Sequence, residues 1–120
     1  MSLPPVTLIG GVPVARMPSD VDAANVERIG LALTESIPRE APCLVLDLEE
    51  TRYLDSVGID MLFKLNEQLR RCRQTLRLAV PEQAPIRRLL QIAAVDASMP
   101  VHPHVEDALA AGSEPTAPLA

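Results

Sequence analysis

The stretch CLVLDLEETRYLDSVGIDMLFKLNEQLRRC, Cys43 to Cys72, decides the fold. Cys43 to Leu48 is a near-continuous apolar run of strand length, the pattern of a central strand buried on both faces. Glu49 to Arg52 is polar and predicts a short loop, after which Tyr53-Leu54 leads into Asp55-Ser56-Val57-Gly58. Val57, Met61, Leu62, Leu65, Leu69 and Cys72 then step by 4, 1, 3, 4 and 3, which predicts an amphipathic helix of about four turns. The other face of that helix carries Asp60, Lys64, Glu67, Arg70, Arg71 and Arg73, acid early and base late, as the helix dipole favours.

The flanks repeat the same alternation. VTLIGG, Val6 to Gly11, predicts a strand ending in a Gly-Gly turn, with VPVARM as its hairpin partner. Pro13 marks that partner as an edge or irregular strand. Val26, Ile29, Leu33 and Ile37 lie at helical spacing, with Ser19 or Asp22 as candidate caps and Pro38 as the stop. Downstream, Thr75 to Val80 alternates as a strand. Ile86, Leu89, Leu90 and Ala93 form a third helical face with Pro85 in its first turn. MPVHP is a short strand and VEDALAA a last helix. The order β-β-α-β-α-β-α-β-α predicts an α/β fold: a mixed, mostly parallel sheet of about four to five strands with flanking helices. One domain is expected over residues 1–110, followed by a disordered tail over 111–120.

A chain of 120 residues, 48% hydrophobic and 22% charged, is long and apolar enough to bury a core without metals or disulfides. With one Tyr, one Phe and no Trp, that core is aliphatic, and stacking platforms for bases are absent. The net charge of −5 disfavours direct contact with nucleic acid. The charge is polarised: residues 1–60 hold 4 basic and 10 acidic groups, and the remainder 7 and 6. The N-terminus has no basic region and is broken by prolines, and no apolar run reaches the roughly 18–20 residues of a membrane span. A cytoplasmic protein with no membrane insertion is expected, with Cys43 and Cys72 as two buried, reduced thiols.

Little in the sequence carries catalysis. Phosphate-loop, dinucleotide and nucleophile-elbow motifs are absent. His102 and His104 with the two cysteines fit no zinc spacing, and Asp47, Asp55 and Asp60 suit solvation and capping. No enzyme activity, metal or cofactor is expected. The Arg-rich segment after Leu69 reads as a solvated helix face. What stands out is Ser56. Asp55 or Ser56 can cap the following helix, but no Glu or Gln lies three residues beyond either, so the capping box is missing. Capping accounts for one of the two polar residues. Gly58, in the first turn, costs about 1 kcal/mol relative to Ala and makes sense where another backbone comes close.

LVLDLEETRYLDSVGIDMLFKL resembles the signature of STAS domains, in particular bacterial anti-sigma factor antagonists. There an apolar strand, a polar loop and Asp-Ser-(Ser/Thr)-Gly precede an amphipathic helix, and Asp55, Ser56 and Gly58 match position by position. The resemblance extends over roughly residues 5–110. Asp22 in DVDAANV is the acid before the first helix, and the last strand–helix–strand–helix portion also matches. Two departures are Val57, in place of the second hydroxyl, and Ala94, where relatives tend to have Gly. The resemblance implies a STAS-like fold and a switch. The unmodified protein binds an anti-sigma factor that is itself a serine kinase and so frees a sigma factor, in regulation of transcription such as a stress response. Phosphorylation of Ser56 ends that binding. Asp22, Asp55, Ser56, Val57, Gly58 and Asp60 are the implied partner surface. A second role implied by the family is a non-switching scaffold or a subunit of a lipid-transport ATPase. Oligomeric state is left open by the sequence.

Overall fold

The computed structural model describes residues 4–113. The chain runs β1 (Val6–Ile9), β2 (Val12–Arg16), β3 (Asp20–Val21), α1 (Val26–Ser36), β4 (Cys43–Asp47), β5 (Tyr53–Leu54), α2 (Ser56–Arg71), β6 (Thr75–Ala79), α3 (Arg87–Ile92), α4 (Val95–Ser98), β7 (Val101–His102) and α5 (Val105–Ser113). The main sheet has the order β1-β2-β4-β6-β7, with the β1–β2 hairpin antiparallel and the other pairings parallel. This is the mixed, mostly parallel sheet expected. α5 extends to Ser113, so residues 111–113, expected in the tail, are helical. The rest of the expected tail lies outside the described residues.

Alternation along the strands explains the layers. Ala15, Leu44, Leu46, Leu48, Leu76, Leu78 and Val80 face the larger core, where Ile29 and Leu33 of α1, Leu62, Leu65 and Leu69 of α2, and Leu90 of α3 close over them. The alternate residues Val12, Val14, Cys43, Val45 and Ala79 face a smaller core under Ala108 and Leu109 of α5. β4 is thus buried on both faces, which is why its sequence shows no polar alternation. Burying a Leu or Val contributes roughly 1.5–3 kcal/mol, so an aliphatic core of this extent needs no aromatic centre.

Three expectations fail locally. β2 is an interior strand, between β1 and β4. Pro13 is tolerated because the ladder to β4 begins only at Val14 and so never calls for the missing N–H. Cys72 is exposed, because α2 ends at Arg71 and the chain turns there. The turn is a Schellman motif: the Gln74 N–H donates to the Leu69 carbonyl at 2.9 Å and the Arg73 N–H to the Arg70 carbonyl at 3.0 Å. Arg73, at φ 59°, holds the left-handed position usually given to Gly. Gln74, buried behind it, donates to the carbonyls of Pro38 (2.9 Å) and Ala41 (3.0 Å) and ties this turn to the start of β4. Finally, α1 starts at Val26, beyond both candidate caps, and its N-cap position is Asn25.

Candidate functional site

Two loops meet where the parallel strands end. The chain after β2 and the chain after β4 run side by side and pair through the two-residue strands β3 and β5, Asp20 opposite Tyr53 and Val21 opposite Leu54. Buried Thr51 donates its hydroxyl to the Pro18 carbonyl at 2.8 Å, and the N–H groups of Arg52 and Tyr53 donate to the Ser19 carbonyl. The Asp55 N–H donates to the Val21 carbonyl at 3.3 Å. Strands this short carry no readable periodicity, so this clamp was not anticipated. Thr51 was read as part of a polar loop, although a buried hydroxyl needs a partner and here it has one.

The clamp presents the start of α2. Asp55 is the N-cap: its Oδ1 accepts from the Gly58 N–H at 2.9 Å. Its other oxygen, Oδ2, accepts from the Ala23 N–H at 3.3 Å, so one carboxylate joins both loops. Ser56 is the first helical residue, exposed, and its hydroxyl has no hydrogen-bond partner among the described residues. The choice left open by the sequence is therefore settled: Asp55 caps and Ser56 does not. Val57 is 42% exposed beside it. This sets Val57 outside the apolar face on which its spacing had placed it; the buried face of α2 begins at Gly58 and runs through Met61, Leu62, Leu65, Asn66 and Leu69.

Gly58 itself is buried. A Cβ there would lie 2.6 Å from Leu54 Cδ1, 3.0 Å from the Val21 carbonyl oxygen and 3.2 Å from Val21 Cγ1. The close approach that Gly58 permits is made by this chain's own clamp. Asp22 shapes the neighbouring loop: its Oδ1 accepts from the Ala24 N–H at 2.9 Å, and its carbonyl accepts from the N–H groups of Asn25 and Val26. Asn25 returns the bond, accepting from the Asp22 N–H at 3.0 Å and donating to the Asp20 carbonyl at 2.8 Å. Asp60, one turn into α2, pairs with Lys64 at 2.8 Å on the exposed face, which raises the Lys64 pKa. Of the six residues read as a partner surface, Ser56, Val57 and Asp60 are exposed, Asp22 and Asp55 are half-buried, and Gly58 is buried.

Other titratable groups lie elsewhere. Burial pushes the Cys43 thiol up despite Arg77 beside it. Burial and then Arg77, whose Nη1 is 3.2 Å from His102 Nε2, hold His102 below its ordinary value. Partial burial and then Asp47 raise Glu49, which sits 3.8 Å from His104. Among the described residues no three His, Cys, Asp or Glu side chains are grouped to hold a metal ion.

Comparison with known proteins identifies the family and the fold. A family model described as STAS domain matches residues 4–108. A crystal structure of an anti-sigma factor antagonist from Mycobacterium paratuberculosis superposes with a TM-score of 0.82 at 25% identity, covering 92% of this chain and 93% of that one. An anti-sigma-factor antagonist (STAS) domain protein from Planctomyces limnophilus gives a TM-score of 0.77 at 22% identity, over 94% and 99%. The NMR structure of a protein called TM1081 gives 0.80 at 11% identity, over 96% and 92%, a likeness of fold. No curated protein sequence matches.

Proposed function

Because this chain belongs to the STAS domain family, we propose that it acts as an anti-sigma factor antagonist whose partner is an anti-sigma factor serine kinase, and that Ser56 is the residue this kinase phosphorylates. One observation carries the reading: with Asp55 serving as cap, the Ser56 hydroxyl is left exposed and unpartnered at a helix N-terminus. A structural role would have consumed it. Val57 leaves Ser56 as the sole hydroxyl of the motif. The Mycobacterium structure, named an anti-sigma factor antagonist, supports the antagonist part of this reading.

In the unmodified state the partner covers Ser56, Val57 and Asp60, with Asp22 and Asp55 holding the two loops in register. A phosphate on Ser56 adds about −1.5 to −2 charge at pH 7. Asp55 and Asp60 flank it, so a packed partner meets a desolvated dianion among acids. Like-charge juxtaposition of that kind costs several kcal/mol, and about 1.4 kcal/mol is tenfold in affinity. The protein is a cytoplasmic binding module in this reading, and no described helix is long and apolar enough to cross a membrane. The test is incubation with ATP and each small histidine-kinase-like anti-sigma factor encoded in the same genome, followed by phosphosite mapping by mass spectrometry. Phosphate on Ser56 and loss of the complex are expected; a complex with one of these proteins that forms equally with Ser56 blocked or modified would sink the switch.

A further inference from the structure

β1 and β7 are the two edges of the main sheet, and β1, four residues long, is the longer of them and carries no charge. Leu8 is 60% and Ile9 45% exposed, and among the described residues only β2 pairs with the strand. Edges of soluble proteins are ordinarily blocked by charge, proline or a bulge within the strand. VTLI contains none of these, and no charged residue occurs from Pro4 to Ala15. The chain's net charge of −5 is therefore absent from this edge, so like-charge repulsion within the strand does not oppose a second copy.

The register identifies which backbone groups are free. The two-residue turn Gly10-Gly11, both at positive φ (59° and 83°), joins Ile9 to Val12, so these two form a hydrogen-bonded pair. Alternation then makes Leu8 and Pro13 a non-bonded pair, Thr7 and Val14 a bonded one, and Val6 and Ala15 non-bonded. The Arg16 N–H, which donates to the Pro5 carbonyl at 3.0 Å, confirms the phase. The N–H and C=O groups of Val6 and Leu8 consequently point away from β2, along the open edge.

From this we propose that β1 pairs antiparallel with β1 of a second copy of this chain, about a two-fold axis through Thr7. Val6 of each copy exchanges hydrogen bonds with Leu8 of the other, four bonds in all for the two pairs. Val6 and Leu8 share the face on which Val6 already packs against the larger core, so each Leu8 side chain covers the partner's Val6. Thr7 meets its own copy across the axis, a favourable cross-strand pair. Pro4, with no N–H to offer, ends the ladder and holds the register. The result is a closed dimer with one continuous ten-stranded sheet, since each copy contributes five strands. It does not depend on modification of Ser56.

Thr7→Cys in a Cys72→Ser background is the decisive variant. A pair at the two-fold lies within disulfide reach, at about 4.5 Å between Cα atoms. Ile9→Cys, two residues off the axis, places the two sulfurs' Cα atoms about 13 Å apart. Mild oxidation is expected to cross-link Thr7→Cys and not Ile9→Cys. Sedimentation of the full chain should show a dimer with a Kd below about 1 mM. Leu8→Lys should weaken that dimer tenfold or more with an unchanged circular dichroism spectrum. A monomer at about 1 mM, equal cross-linking of the two cysteine variants, or a dimer indifferent to Leu8→Lys overturns the proposal.

Discussion

Asp55→Ala and Ser56→Ala are adjacent substitutions with opposite expected outcomes. Asp55 makes two bonds: the cap to Gly58 at 2.9 Å and the bridge to Ala23 at 3.3 Å. Loss of an N-cap costs about 0.5–2 kcal/mol. The longer, exposed bridge contributes at the low end of the roughly 0.5–1.5 kcal/mol range of a hydrogen bond. Asp55→Ala should therefore destabilise the domain by about 1–2.5 kcal/mol. Ser56, exposed at the first helical position with no bond to lose, should change stability by less than about 0.5 kcal/mol on replacement by Ala. In urea, with a slope of about 2 kcal/mol/M, the first variant shifts the midpoint down by about 0.5–1.2 M and the second leaves it in place. The comparison is internally controlled, since both changes are small, polar-to-Ala and in the same loop. Should Ser56→Ala destabilise as much as Asp55→Ala, the hydroxyl has a structural job and the inference of a free acceptor fails.

Three further outcomes follow from the geometry. Gly58→Ala forces a methyl to within 2.6 Å of Leu54 Cδ1 and 3.0 Å of the Val21 carbonyl, so overpacking should cost about 1–3 kcal/mol in denaturant unfolding, and a neutral result would mean the clamp is loose. Ala94, at φ 59° and ψ 29°, stands in the left-handed region, where a Cβ costs about 1–2 kcal/mol. Ala94→Gly recovers that and loses about 0.4–1 kcal/mol through the freer unfolded chain, so a net gain of up to about 1.6 kcal/mol is expected, read as a raised thermal midpoint. His102 is held below its ordinary 6.5 by burial and then by Arg77, against the weaker pull of Asp107. A depressed value means that the unfolded chain takes up the proton first. The stability this group contributes is therefore present above pH 6.5 and lost as pH falls below it, and His102→Gln should flatten that part of a stability–pH curve.

What was legible in the sequence was whatever depends on many apolar positions at once. β4 announced itself because both of its faces are covered, and α2 because Met61, Leu62, Leu65 and Leu69 agree on one helix face. Single positions at element ends were not legible by the same means. Val57 and Cys72 fit the helical spacing yet fall at the two ends of α2, where the chain leaves the core, and both are exposed. Asp55 and Ser56 are equal as caps by residue type, and only the extended backbone at Asp55, φ −94° and ψ −177°, separates them. Gly58 reads from the sequence as room for a partner's approach, whereas the groups that close on it are Leu54 and Val21 of this chain, which pattern alone does not name. The β3–β5 clamp that answers this rests on two residues from each side, from segments more than thirty residues apart in sequence.

The same local geometry predicts how the domain responds to a phosphate. At the start of α2 the Asp55 N–H is taken by Val21 and the Gly58 N–H by Asp55, while the Ile59 N–H donates to the Asp55 carbonyl. The N–H groups of Ser56 and Val57 have no such partner and point out of the helix end. A phosphate on Ser56 sits beside these two free donors and the positive end of a 16-residue helix. That attraction, typically about 0.3–1 kcal/mol for a surface charge at a helix end, opposes the repulsion from Asp55 and Asp60. The fold should therefore keep its stability to within about 1 kcal/mol on phosphorylation, while affinity for the partner falls by far more. Urea unfolding of the modified and unmodified protein side by side measures the first quantity, and titration of the kinase the second. A modified protein that unfolds at markedly lower urea would move the switch from the surface into the fold, and the account of Ser56 as a free acceptor on a rigid clamp would not survive it.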